Sequence, residues 1–182
     1  MNLLLPGYHI RRGSTVDRAI LVKFMQRTYQ EMFPHQDFSH LALTVEQYFS
    51  ADTPLWWVDE EAEKQGVGEE PPITNYQLPI TNHQSPSPIA CLWVGNAIDQ
   101  IKGDRHTHIF LLYVTPEHRR RGIGKALMSH VENWAKQKGD AYGEQSYRQI
   151  GLQVFQSNTP ALQLYHQLGY QTQSLWMIKS FR

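Results

Sequence analysis

The chain has 182 residues, the length of one domain or of one domain with an appended loop. Its 17 Lys and Arg balance 17 Asp and Glu, a formal net charge of zero that argues against whole-protein attraction to nucleic acid or anionic lipid. A hydrophobic fraction of 41% excludes disorder of the whole chain, and the single cysteine, Cys91, excludes an internal disulfide or a Cys-based zinc finger.

No apolar run approaches the ~18 residues of a membrane span. The opening Met-Asn-Leu-Leu-Leu-Pro-Gly is too short for a signal-peptide core, so the expected compartment is the cytoplasm. Tyr8 to Arg12 reads as a strand closed by Gly13 and Ser14. Ser14 or Thr15 can cap the helix that follows, because either hydroxyl can accept from a free first-turn amide. Val16, Ile20, Phe24 and Tyr29, widened by Leu21 and Met25, form an apolar stripe at mostly helical spacing, and Pro34 stops it. Thr44-Val45-Glu46-Gln47 has capping-box order and predicts a second helix from Thr44. Residues 55–58 are a compact aromatic strand.

Residues 59–88 are rich in Glu, Pro, Thr, Asn and Gln, and the seven residues from Pro72 recur in near-copy from Pro79. Two short copies do not make a solenoid. They predict a polar, low-complexity insertion between two strands, or alternatively a partner-binding arm. Strands are predicted at 89–94 and 108–114, the second so apolar that it suits a central position buried on both faces. Ile123, Leu127, Val131 and Trp134 predict a helix over 122–138 with Gly139 as its C′ glycine. A strand over 150–155 precedes a helix opened by Thr159-Pro160, with Ala161, Leu162, Tyr165 and Leu168 on one face and Gly169 at its end. Residues 170–172 and 175–180 read as closing strands. The order describes one mixed α/β domain over residues 1–182.

Chemistry concentrates where the 108–114 strand turns into a helix through Thr115-Pro116-Glu117-His118-Arg119-Arg120-Arg121-Gly122-Ile123-Gly124-Lys125. Such a turn directs unpaired amides and a helix dipole at one spot, glycines admit a ligand close to the backbone, and four cations surround it. The site suits a polyanion, most naturally a pyrophosphate. A P-loop fails because Arg119 and Ala126 stand where Gly and Ser/Thr are required. The dinucleotide fingerprint fails because Leu127 stands where its third Gly belongs. What remains is Arg-x-x-Gly-x-Gly between a strand and an amphipathic helix. A later block holds Gly151-Leu152-Gln153-Val154-Phe155, Asn158, Ala161, Leu164-Tyr165 and Leu168-Gly169-Tyr170.

Together these resemble the acetyl-coenzyme A loop and the following block of the GNAT superfamily of N-acetyltransferases, over most of residues 8–181 and with motif strength in 108–170. The resemblance implies a mostly antiparallel central sheet flanked by helices, splayed between the strand before the loop and the next strand in the sheet. It implies acetyl-CoA as co-substrate, no metal, and direct transfer in a ternary complex to a primary amine of a small molecule or a peptide or protein. Leu112, Tyr113 and Val114 match the segment that pairs with the pantetheine arm, and the amide of Leu112 or Val114 could stabilise the oxyanion. Arg119, Arg120, Arg121, Gly122, Ile123, Gly124 and Lys125 match the pyrophosphate loop, with amides contributing more than side chains. Arg120 and Arg121 either meet the third phosphate or point into water. Asn158 matches the residue that binds the pantetheine arm, and is also a natural N-cap. Tyr165 matches the general acid, since a phenol with pKa near ~10 can protonate a thiolate of similar basicity, and otherwise packs on its helix face.

His108 stands where some members carry a base, with His106 expected on the same side of the strand; both could equally be polar residues at a strand mouth. No Cys or carboxylate cluster completes a metal site with them, and Cys91 reads as core. The resemblance implies an acceptor site built from segments that here include residues 31–35 and the region of Trp176, side chains that core packing explains equally well, with Tyr142, Glu144 or Tyr147 at its border. Closing strands of this kind often associate, which is compatible with a homodimer. Two other readings stay open: a catalytically silent acyl-CoA-binding module, and nucleic-acid binding through Arg11-Arg12 and Arg119 to Arg121, which zero net charge disfavours. The neutral total is uneven, with six acidic residues against Lys64 in 59–88 and four cations within 119–125.

Overall fold

The computed structural model describes residues 2–61, 87–99, 101–142 and 147–181, with the Tyr142 side chain left aside. Most of the expected insertion, residues 62–86, lies outside them, as does Glu144. The described chain forms two compact units, Met1–Gly151 and Leu152–Arg182.

The sheet is ordered β1(Asn2–Leu5), β2(Tyr8–Arg12), β3(Leu55–Glu60), β4(Ala90–Ile98), β5(Arg105–Val114) and β6(Ile150–Leu152), and all of it but Leu152 belongs to the first unit. The pairs from β1 to β5 are antiparallel. Helices α1(Arg18–Met32) and α2(Leu41–Tyr48) cover one face, where Leu21, Phe24, Met25, Leu41 and Val45 pack on Leu55, Trp57, Cys91, Trp93, Leu111 and Tyr113. Phe24 sits edge-on to Trp57 and Tyr113, with centroids 5.1 and 5.4 Å away. Helix α3(Ile123–Tyr142) buries Ile123, Leu127 and Val131 of the predicted stripe, together with Met128 and Ala135, and leaves its fourth member, Trp134, half-buried. Trp56 meets His130 and Trp134 of α3 at 5.2 and 5.5 Å, so α3 lies on the face opposite Trp57.

Several expectations are corrected. Asn2–Leu5, read only for its shortness, is an edge strand beside β2. Helix α2 starts at Leu41 rather than Thr44. The Asp37 carboxylate accepts from the Ser39 amide and hydroxyl, and helical bonds then begin with Leu41 N–H to Phe38 C=O. Gly139 does not stop α3: it is absent from the left-handed residues and the helix continues to Tyr142. β6 ends at Leu152, three residues short of expectation. Strand β5 alternates buried and half-buried positions instead of being buried throughout.

In the second unit, α4(Thr159–Gln167) is capped by Asn158, and Gly169 (φ 88°) ends the turn after it. No strand forms at 170–172 or 175–180. Leu175, Trp176, Met177 and Ile178 are exposed: strand propensity without a pairing partner leaves these residues outside a ladder.

One irregularity decides what faces where. Trp93 pairs with Leu111 but Val94 with Ile109, so Phe110 is an extra residue on β5. Its ring packs on Trp93 at 4.8 Å and on His108 at 5.4 Å, which puts Phe110 on the same face as Leu111 and Tyr113. The ring lies across Gly95 of β4, where a Cβ would overlap it. Gly95→Ala should therefore cost about 1–3 kcal/mol in chemical denaturation through displaced packing. An unchanged midpoint would show that the ring has another place to go.

Candidate active site

The bulge sets the directions of backbone groups along β5. Thr107 N–H donates to Gln149 C=O just before β6, whereas Thr115 N–H donates to Ile89 C=O just before β4. Two residues eight apart would point the same way in a regular strand, and the extra residue at Phe110 reverses the second. Past the bulge, Leu112 and Val114 consequently turn their amides toward the β6 side. Pairing on that edge is anchored at Thr107, and β6 has three residues. The last residues of β5 extend beyond it.

The β5–α3 loop opens with a 3-10 turn, Pro116–His118, and bends through two left-handed residues, Arg120 (φ 64°) and Gly122 (φ 83°). Ala126 N–H to Gly122 C=O is the first bond of the helix, so the amides of Ile123, Gly124 and Lys125 have no intrahelical acceptor. An alternation of backbone conformation ahead of a helix N-terminus converges N–H groups on one concavity, and this arrangement fits a pyrophosphate.

The three arginines have different surroundings. Arg119 turns back: its Nε donates to Val114 C=O at 2.9 Å and its Nη2 to Glu31 Oε2 at 2.6 Å. Arg121 donates to the Tyr8 hydroxyl at 2.8 Å and lies 3.7 Å from Glu60. Arg120 is exposed and has no side-chain partner among the described residues, and Lys125 is exposed on the first turn of α3. His118 braces the loop, with Nδ1 2.9 Å from Thr115 Oγ1 and Nε2 3.1 Å from Glu60. Tyr8, Glu60, Thr115 and His118 were not singled out from the sequence. His118 lies inside the motif and could have been, whereas Glu60, 58 positions away from it, carried no local signal.

Glu31, expected in the acceptor region, has both oxygens engaged: Tyr113 Oη donates to Oε1 at 2.6 Å while Arg119 holds Oε2. Burial, then the neighbouring Glu31, push the Tyr113 phenol pKa well up. A cleft of about 430 Å3 beside this group is lined by Arg27, Gln30, Glu31, Tyr113, Thr115, Pro116 and Glu117.

His106 and His108 lie side by side, centroids 5.9 Å apart, over Gly151, where a Cβ would come within 2.7 Å of His106 Nε2. Burial, then His106, lower the His108 pKa, and its Nδ1 is buried without a hydrogen-bond partner among the described residues. Cys91 is fully buried in β4, where desolvation pushes its thiol far up, as befits a core residue. Among the described residues no group of three or more His, Cys, Asp or Glu is placed to hold a metal, and no helix is long and apolar enough to cross a membrane. Arg11 pairs with Asp59 at 2.7 Å and Arg12 lies over the Trp56 ring at 4.8 Å.

In the second unit, Asn158 Oδ1 accepts from Ala161 N–H at 3.3 Å, the capping role foreseen for it. Tyr165 is buried on α4 with Tyr170 6.0 Å away, and burial pushes its phenol up to about 12.

Over 65 residues the chain is 37% identical to the catalytic subunit of the N-terminal acetyltransferase B complex of Arabidopsis thaliana, covering 36% of this chain and 34% of that protein. Over 74 residues it is 34% identical to the ribosomal protein bS18-alanine N-acetyltransferase of Escherichia coli, covering 41% of this chain and 45% of that protein. The matched stretch thus spans less than half of either relative. An aminoglycoside acetyltransferase from an uncultured soil metagenomic sample, solved with sisomicin, shares the fold at a TM-score of 0.60 and 14% identity, covering 97% of this chain and 98% of that one. The model of the acetyltransferase (GNAT) family matches residues 22–170, which include the loop, the histidine pair and Tyr165, and the chain belongs to that family of amine acetyltransferases.

Proposed function

We propose that the chain moves the acetyl group of acetyl-CoA directly to a primary amine of a small molecule or of a peptide or protein, within a ternary complex. Residues 1–182 would work as one cytoplasmic acetyltransferase domain. The observation that carries this reading is the β5–α3 turn, where left-handed Arg120 and Gly122 precede a 20-residue helix. The names of the two curated relatives, an N-terminal acetyltransferase and an alanine N-acetyltransferase of a ribosomal protein, support a protein amine among the acceptors.

In this reading Leu112, Tyr113 and Val114 receive the pantetheine arm, and the amide of Leu112 or Val114 donates to the oxyanion formed when the amine attacks the thioester. The loop Arg119, Arg120, Arg121, Gly122, Ile123, Gly124 and Lys125 holds the pyrophosphate mainly through its amides. Asn158 uses Oδ1 for its cap and keeps two N–H donors for the pantetheine arm.

His108 accepts the proton of the incoming amine. Its lowered pKa keeps the imidazole neutral at pH 7, at the cost of basicity. Tyr165 supplies the proton to the departing thiolate. At about 12 its phenol is protonated throughout the neutral range, though further from a thiolate in water than an exposed tyrosine would be. The same desolvation raises the basicity of a thiolate that leaves beside it, which restores the match.

Release of CoA thiol over a panel of small amines and peptides with free N-termini tests the activity; turnover on neither class would sink the reading. Tyr165→Phe should lower kcat about a hundredfold while acetyl-CoA affinity stays within twofold. Unchanged kcat removes Tyr165 from the chemistry. For His108 the competent form is the neutral one, and a pKa below the ordinary 6.5 puts the acidic limb of kcat/KM below that pH. His108→Gln should lower the plateau and erase this limb, and a limb that persists unchanged assigns it to another group.

A further inference from the structure

Glu31, Tyr113 and Arg119 form a closed ring of side chains that neither the family resemblance nor the acceptor role foreseen for Glu31 accounts for. Glu31 is the next-to-last residue of α1, Tyr113 the next-to-last of β5, and Arg119 the first residue after the 3-10 turn. One carboxylate takes the phenol and the guanidinium, each at 2.6 Å. The guanidinium carbon lies 5.5 Å from the Tyr113 ring centroid, and Nε closes back onto Val114 C=O. Both Glu31 oxygens, the tyrosine proton and two guanidinium nitrogens are thereby engaged.

Two consequences follow from position alone. Val114 C=O lies on the β6 side of β5, the edge proposed for the pantetheine arm, and Arg119 already occupies it. Arg119 also immediately precedes left-handed Arg120, so anchoring its side chain to α1 fixes where the row of loop amides begins. Charge-assisted hydrogen bonds have the directionality for this. The Glu31 and Arg119 side chains are 35% and 42% exposed, so solvent screens their attraction and the pair contributes little to global stability. What such a ring supplies is geometry.

We propose that Glu31 is a positioning residue for the acetyl-CoA loop: by holding Tyr113 and Arg119 it ties α1 to the start of the loop, and the Arg119 side chain serves as this tie instead of as a phosphate ligand. The proposal rests on the reading of 119–125 as the acetyl-CoA loop. It shifts the free positive charge at that loop to Arg120 and Lys125, and removes Glu31 from direct contact with the acceptor amine.

The test uses the full chain carrying Glu31→Gln, Arg119→Gln and both together, with Tyr113→Phe as a milder cut in the same ring. Glu31→Gln keeps shape and can still accept from Tyr113, but loses the charge that holds Arg119. It should raise the KM for acetyl-CoA about three- to tenfold, leave the KM for the amine unchanged and hold kcat within about twofold. The double variant should be no worse than the poorer single one, because both substitutions break the same tie. In the ligand-free protein, hydrogen exchange at the bonded loop amides of His118, Arg119 and Ala126 should quicken in Glu31→Gln while the melting temperature stays put. That readout needs no acetyl-CoA, so it judges the tie even if the wild-type chain fails to bind acetyl-CoA and the functional reading falls. A rise in the amine KM with the acetyl-CoA KM unmoved would overturn the proposal in favour of an acceptor contact. Additive losses in the double variant, or unchanged loop exchange in Glu31→Gln, would overturn it as well.

Discussion

The single extra residue at Phe110 is the constraint on which the rest of the candidate site depends. A strand alternates both its side chains and its amides with period two, so one inserted residue reverses both for everything downstream. Ahead of the insertion, Thr107 donates toward β6; beyond it, Leu112 and Val114 take that direction and Thr115 donates toward β4. Without it, Tyr113 would leave the α1 face and could not reach Glu31. The same reversal keeps His108, Phe110, Leu111 and Tyr113 on one side of the sheet, two of them upstream of the phase change and two downstream. Gly95 makes this affordable, since the Phe110 ring occupies the volume a side chain there would need.

Three consecutive arginines repel one another in an empty loop, and the fold answers with carboxylates brought from other elements. Glu31 comes from the end of α1 and Glu60 from the end of β3, each meeting one arginine and leaving Arg120 exposed. At the exposures involved these pairs are screened, and each contributes little to stability. Their effect is to divide the three arginines into two anchored side chains and one open one. His118 reinforces the same division by bridging Thr115 and Glu60 across the turn. The proposed anion site would then consist chiefly of amides held in place before any ligand arrives, which avoids part of the ordering cost of binding.

The elements with strong periodicity were legible in the sequence. The stripe of Ile123, Leu127 and Val131 is buried as its spacing requires, and the compact aromatic run at 55–58 is the buried core of β3. The loop was readable because glycines and arginines stand at fixed offsets between two such elements. The bulge was not, for a physical reason: His-Ile-Phe-Leu-Leu-Tyr-Val is almost uniformly apolar, so it has no alternation whose loss of phase could betray an inserted residue. Gly139 misled because a glycine signals a helix end only when the chain adopts the left-handed conformation there, and continued packing of α3 kept it helical. The predicted closing strands had strand-forming residues but no ladder to join. The ties between Glu31 and Arg119 and between Glu60 and His118 bridge 88 and 58 positions, separations at which no local pattern carries information.

Burial biases the two groups proposed for proton transfer toward their neutral forms, His108 by lowering its pKa and Tyr165 by raising it. A neutral imidazole can take a proton and a neutral phenol can give one, so in the proposed mechanism each group rests in the state its step requires. The carboxylate of Glu31 is engaged by Tyr113 and Arg119, so it offers an arriving ammonium little net negative charge. Phe110, Tyr48 and Trp93 add aromatic faces near His108 but no carboxylate.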